Sequence, residues 1–203
     1  MNTRLIISVL ALLALPVLAK DEVTLQDRLP AGSATLFVLD VPVGEVQIEA
    51  YEGTDIEYRV KVREADGGWF SSFDRDDVEV RQSSSSDRIK LEVDLEDTEQ
   101  EWHVKVPSHL NLILELGVGE MNIENASRDL DVEVGVGSID VSLAGKDYRR
   151  IELEAGVGEA DLKGFTNYSS DRAIVSEEVS WRGEGHYEIK AKVGVGEVEV
   201  RGR

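Results

Sequence analysis

Residues 110–143, LNLILELGVGEMNIENASRDLDVEVGVGSIDVSL, decide the fold. Leu110, Leu112, Leu114, Leu116 and Val118 alternate with other residues, and Met121 and Ile123 resume the alternation one place out of phase. Leu130, Val132, Val134 and Val136 lead in the same way to Ile139, Val141 and Leu143. A period of two is the mark of a β-strand. The phase changes at Gly-Val-Gly each time, which predicts a corner that keeps the same side chains inward. Glycine suits such a corner because it accepts positive φ and lets neighbouring backbones approach closely. On this reading Leu130 to Leu143 turn seven apolar side chains inward, Val136 among them.

Working outward, Gly117-Val118-Gly119-Glu120 recurs as Gly135-Val136-Gly137-Ser138, Gly156-Val157-Gly158-Glu159 and Gly194-Val195-Gly196-Glu197, with a weaker copy at Pro42-Val43-Gly44-Glu45. Each copy is flanked by alternating apolar residues, such as Phe37, Leu39 and Val41 before Val46 and Ile48. The second glycines lie 75, 18, 21 and 38 residues apart in chain order. Read with skipped copies, these intervals give a period of about 19 residues, the signature of stacked repeats. Turn signals at Ala126-Ser127-Arg128-Asp129 and Ala144-Gly145-Lys146-Asp147 mark the return of each unit. No window carries the i, i+3, i+4 pattern of a helix. A sandwich also explains short alternating strands, but not one corner motif at one spacing. The expected fold is therefore all-β, a single-domain β-solenoid of roughly nine or ten rungs spaced by about 4.8 Å. Residues 51–107 fit the repeat poorly and carry an insertion at 67–77.

Trp102-His103-Val104-Lys105-Val106-Pro107, followed by Leu110 to Asn122 and then the successive Gly-x-Gly corners, resembles the bacterial adhesin-like families of unknown function. The resemblance runs from about Val38 to Val200. It implies a secreted or envelope protein with a repetitive β-solenoid fold, and it supplies no catalytic residues.

The chain of 203 residues has 41 acidic and 22 basic residues, a net charge of −19, and no cysteine. Such a surface repels phosphate backbones and anionic lipid, so nucleic acid is not an expected partner. Without cysteine there are no disulfides, thiolate metal sites or Cys nucleophile. Met1 to Ala19 has a basic start at Arg4, an apolar run from Leu5 to Leu15, and Val17-Leu18-Ala19 before Lys20-Asp21-Glu22. This reads as a secretory signal peptide, too short for the roughly 20 apolar residues of a membrane span. Its removal takes Arg4 and moves the charge from −19 to −20. The mature domain, 20–203, is expected in the periplasm or outside the cell, with no membrane insertion.

No Gly-x-Ser-x-Gly elbow, phosphate loop, zinc-protease helix or dinucleotide fingerprint occurs. Asp74-Arg75-Asp76-Asp77 lacks the spacing and glycine of a calcium loop. His103, His109 and His186 are not at ligand spacing. No catalytic residue, metal site or cofactor is expected. Two features stand out. Glu45, Glu120, Glu159 and Glu197 share one corner position, which predicts an acidic row, either a site for cations or a solvated face that limits aggregation. Trp69, Phe70 and Phe73 cluster in Gly67-Gly68-Trp69-Phe70-Ser71-Ser72-Phe73, either as a partner-binding tip or as a cap over an open rung.

The leading functional reading is a non-enzymatic envelope protein that binds or scaffolds another envelope protein or a glycan through an acidic extended surface. The alternatives are a docking or sensing component of an envelope-stress assembly and a polysaccharide-active enzyme on a β-helix. The chain ends on Val198, Val200 and Arg201-Gly202-Arg203, which predicts an edge that arginines guard or that pairs two copies.

Overall fold

The computed structural model describes residues 22–65, 75–95 and 97–202. Strands β1 (Glu22–Pro30), β2 (Leu36–Tyr51) and β3 (Asp55–Glu64) are followed by a short 3-10 turn at Arg75–Asp77. Next come β4 (Arg81–Ser84), β5 (Arg88–Glu92), β6 (Thr98–Pro107), β7 (Asn111–Ala126) and β8 (Leu130–Leu143). The chain continues with β9 (Tyr148–Lys163), β10 (Ser169–Arg172), β11 (Glu177–Arg182) and β12 (Tyr187–Arg201). All twelve belong to one open sheet, and no α-helix occurs among the described residues.

The centre of the sheet is parallel, in the order β2, β7, β8, β12, β9. Extended, the 16 residues of β7 would span about 50 Å at roughly 3.3 Å per residue. Yet only three residues separate the end of β7 from the start of β8, and Leu130 is the register partner of Leu112. The Leu112 amide donates to the Asp129 carbonyl at 2.9 Å. β7 therefore turns at its glycine corner, and the chain that follows it returns to the level of its first residues. Buried ladders run through every strand of the stack. One of them is Phe37, Leu112, Leu130, Ile189 and Ile151, all register partners and all buried.

The order of the strands differs from their order in sequence. β12 lies between β8 and β9, pairing in parallel with both. The 38-residue interval before Gly196 is thus no skipped rung. Residues 164–186 instead carry β10 and β11, a hairpin whose β11 runs antiparallel along the first half of β9 while β10 pairs with β11. The 75-residue interval before Gly119 has a similar cause. β2 and β7 are direct neighbours, and the residues between them build the other side of the sheet. β5 and β6 pair in parallel with the two halves of β2, with β4 antiparallel to β5 and β3 antiparallel to β6. The interval of 18 between Gly119 and Gly137 is the one that joins consecutive strands, β7 and β8, as parallel neighbours. A count of nine or ten rungs gives way to five glycine-cornered strands and the composite β5–β6 turn.

β12 is an interior strand, so the edge expected at the C-terminus is not there. Val200 is fully buried, and Arg201 binds Asp140 at 2.6 Å through Nη1. The second half of β9 forms that side of the stack. There the Gly158 amide donates to the Val175 carbonyl at 2.9 Å, and the Ala160 amide to the Glu177 carboxylate at 3.4 Å. Residues 1–19, expected from the sequence to be a signal peptide, and the aromatic cluster Trp69, Phe70 and Phe73 lie outside the described residues.

Candidate functional site

The corner is where sequence repetition becomes surface. Two lanes of glycine run across the stack. In the second lane, Gly44, Gly119, Gly137, Gly196 and Gly158 are successive register partners. Gly137 has φ of 144°, and a Cβ added there would lie 1.7 Å from the carbonyl oxygen of Gly119. The same overlap repeats up the lane, so the stack closes only with hydrogen at these positions.

Between the lanes stands a row of valines. Val43, Val118, Val136, Val195 and Val157 are register partners, and they point to solvent rather than into the core. Val118 and Val136 are each 48% exposed, and Val43 is 36% exposed. This corrects the expectation that they continue the inward alternation. Inward side chains stop at Leu116 and resume at Met121, so Gly117, Val118, Gly119 and Glu120 all face outward. The sequence held the signal. A phase shift needs an odd gap between inward residues, and the gap from 116 to 121 supplies it without Val118. Beyond Val157 the ridge meets the loop that holds Val175 against Gly158, where Ile174 is 100% exposed.

Acidic rows border the ridge on both sides. Glu45, Glu120, Ser138, Glu197 and Glu159 are register partners in that spatial order, so the four predicted glutamates share one line with serine at its middle. On the other side run Asp40, Glu115, Glu133, Lys192 and Glu154. Arg172 binds Glu159 at 2.8 Å, and Lys192 lies 3.4 Å from Glu154. Glu45, Glu115, Glu120, Glu133 and Glu197 have no ion-pair partner among the described residues. Beside Glu45, Glu101 continues the line. A hydrogen bond with His103 and a second from Lys61, at 3.0 Å, hold its carboxyl below the ordinary carboxylate range. No group of three or more His, Cys, Asp or Glu suited to a metal ion is found among the described residues.

A second surface is an open groove of about 1140 Å³ over the later half of the sheet. Gln26, Arg59, His103, Gln47, Asn122 and Asp140 cross it as register partners. Most of its charges answer each other, as in Lys105 with Glu49 at 2.9 Å and Arg28 with Glu57 at 3.4 Å. Such pairs leave little unsatisfied charge for a ligand. Sequence reasoning missed this groove because its outward residues carry no repeated motif.

Among solved structures, a candidate cell adhesion protein from Clostridium sporogenes ATCC 15579 is similar, with a TM-score of 0.54 and 16% identity over 91% of this chain and 100% of that one. At that identity the likeness shows a shared fold. A candidate adhesin from Parabacteroides distasonis ATCC 8503 is 11% identical, with a TM-score of 0.31 over 89% of this chain and 71% of that one. Another, from Parabacteroides merdae ATCC 43184, is also 11% identical, with a TM-score of 0.29 over 89% and 96% of the two chains. No curated protein matches the chain. Residues 29–163 match the family described as the N-terminal domain of toast_rack, DUF2154, and the chain belongs to that family.

Proposed function

We propose that this chain is a non-enzymatic cell-envelope protein, a β-solenoid that serves as an adhesin-like binding or scaffolding module. The observation that carries the reading is the repetition of one outward sequence, Gly-Val-Gly-Glu with its variants Pro-Val-Gly-Glu and Gly-Val-Gly-Ser, at register positions on neighbouring strands. Repetition at the strand spacing of about 4.8 Å builds an extended surface, which suits a partner with extent of its own. A small molecule is better served by a few convergent polar groups in a concave pocket. The fold shared with a candidate cell adhesion protein supports the same reading. The signal peptide at 1–19 sends the module to the periplasm or beyond, where an envelope protein or glycan is its partner.

The test has two arms. Expression of the full chain, cell fractionation and N-terminal sequencing are expected to find the protein outside the cytoplasm and beginning at Lys20. The purified chain is expected to be retained on envelope material and to release no product from a panel of glycans. Product release would make it an enzyme. Failure of retention would remove the binding reading.

A further inference from the structure

We propose that the valine ridge is a docking surface for a basic protein segment that carries aliphatic side chains between its lysines or arginines. The proposal rests on the reading of the chain as a binding module and names the chemistry of its partner.

Three observations converge. First, the five corner valines are aligned by register and are 36–48% exposed, whereas the other aliphatics of these strands are buried or partly buried. A contiguous apolar row rimmed by polar residues is the usual form of an interaction surface. Second, glycine flanks each of Val118, Val136, Val157 and Val195 on both sides, so no side chain shields the row. The backbone of a partner can come close along either flank. Third, the bordering carboxylates repel one another. Glu45 is the register partner of Glu120, and Glu115 of Glu133. Like charges directly across neighbouring strands are destabilising, and lysines or arginines laid along the borders would relieve them.

The charge also selects among occupants. A second copy of this chain would bring its own acidic borders against these, and anionic lipid would meet the same repulsion. A glycan would be expected to use an aromatic platform, and the ridge is aliphatic throughout.

The test uses a short synthetic peptide in which lysine alternates with leucine, with serine-for-leucine and glutamate-for-lysine counterparts. Binding to the mature chain is measured by titration calorimetry at two ionic strengths. The lysine–leucine peptide is expected to bind about tenfold more tightly than the lysine–serine peptide, which isolates the apolar contribution. The glutamate–leucine peptide is expected not to bind, and binding is expected to weaken with salt. The combined variant Val118→Thr, Val136→Thr and Val195→Thr keeps branching at Cβ, and so strand preference, on an exposed row. It is expected to retain its melting temperature and to lose the tenfold advantage. Equal binding of the lysine–leucine and lysine–serine peptides, or no effect of the variant, would reduce the surface to plain acidic attraction and overturn the proposal. Ridge-dependent dimers in sedimentation would overturn it in favour of a second copy. Envelope retention that survives the threonine variant sinks the ridge alone, whereas no retention of the wild-type chain sinks the binding-module reading beneath it.

Discussion

Gly137 shows how little latitude the corner allows. Its φ of 144° is one that L side chains rarely adopt, and the Gly119 carbonyl fills the place of a Cβ at 1.7 Å. Gly137→Ala combines backbone strain of about 1–3 kcal/mol with a forced shift of the neighbouring strand. It is expected to cost at least about 2 kcal/mol, lowering Tm by roughly 4–8 °C in a scanning calorimeter. Gly145, with an ordinary φ and nothing within 4 Å of the place a methyl group would take, is the control. Gly145→Ala is expected to stay within about 0.5 kcal/mol of wild type. Glu101 provides a pH-dependent case. A carboxyl held below its ordinary value of 4.5 stabilises the fold above that value, and the contribution is lost as pH falls through the depressed folded value. Glu101→Gln is expected to flatten the acid limb of a plot of Tm against pH. An unchanged limb would mean that the His103 and Lys61 contacts contribute nothing to stability.

At the scale of elements, the composite turn solves the corner differently. Gln100 is the register partner of Gly44, and it is fully buried. Its amide donates to the Val93 carbonyl at 3.2 Å while its oxygen accepts from the Trp102 indole at 2.9 Å. The side chain thereby ties the loop between β5 and β6 to the core that Trp102 fills. Gln100→Leu leaves a buried indole N–H and a buried carbonyl without these partners. A buried group stranded in this way costs about 1–3 kcal/mol, so a loss of roughly 2–4 kcal/mol is expected in urea denaturation. Tyr148 makes a similar tie at the start of β9, its hydroxyl donating to the Ala126 carbonyl at 2.6 Å. Since the Ala144 amide also serves that carbonyl, Tyr148→Phe is expected to cost only about 1 kcal/mol. The open side of β9 is managed by side chains rather than by another strand. Glu177 accepts from the Ala160 amide and from Ser170, and Arg172 lies 3.8 Å away. A carboxylate over an edge amide removes a position where a foreign strand would pair.

For the whole molecule the dominant fact is charge. The chain carries a net −19, and part of its acidic excess lies in rows whose members sit on adjacent strands. Self-repulsion of that kind opposes compactness and is screened by salt. Raising the salt from about 10 mM, where the Debye length is about 30 Å, to about 1 M, where it is about 3 Å, is expected to raise stability by about 1 kcal/mol. That corresponds to a gain in Tm of roughly 2–4 °C. A flat or falling Tm would show that the ion pairs weakened by salt outweigh the repulsion it relieves.

The sequence alone determined the glycine-cornered strands, their corners and the alignment of the acidic row. Alternation records which residues avoid water, and a carbonyl pressed against each corner admits nothing larger than glycine, so both leave a direct trace in residue type. Glu45, Glu120, Glu159 and Glu197 could be placed on one line because each sits one residue beyond such a glycine. Only the tertiary structure decided who stands beside whom. Leu, Ile and Val fit the buried ladders almost interchangeably, so residue types alone do not tell β9 from β12 as the neighbour of β8. The hairpin of β10 and β11 occupies one side of β9 and leaves β12 the place between β9 and β8. The direction of the corner valines was likewise settled in three dimensions, because an apolar residue between two glycines fits either phase until the turn of the backbone points it to solvent.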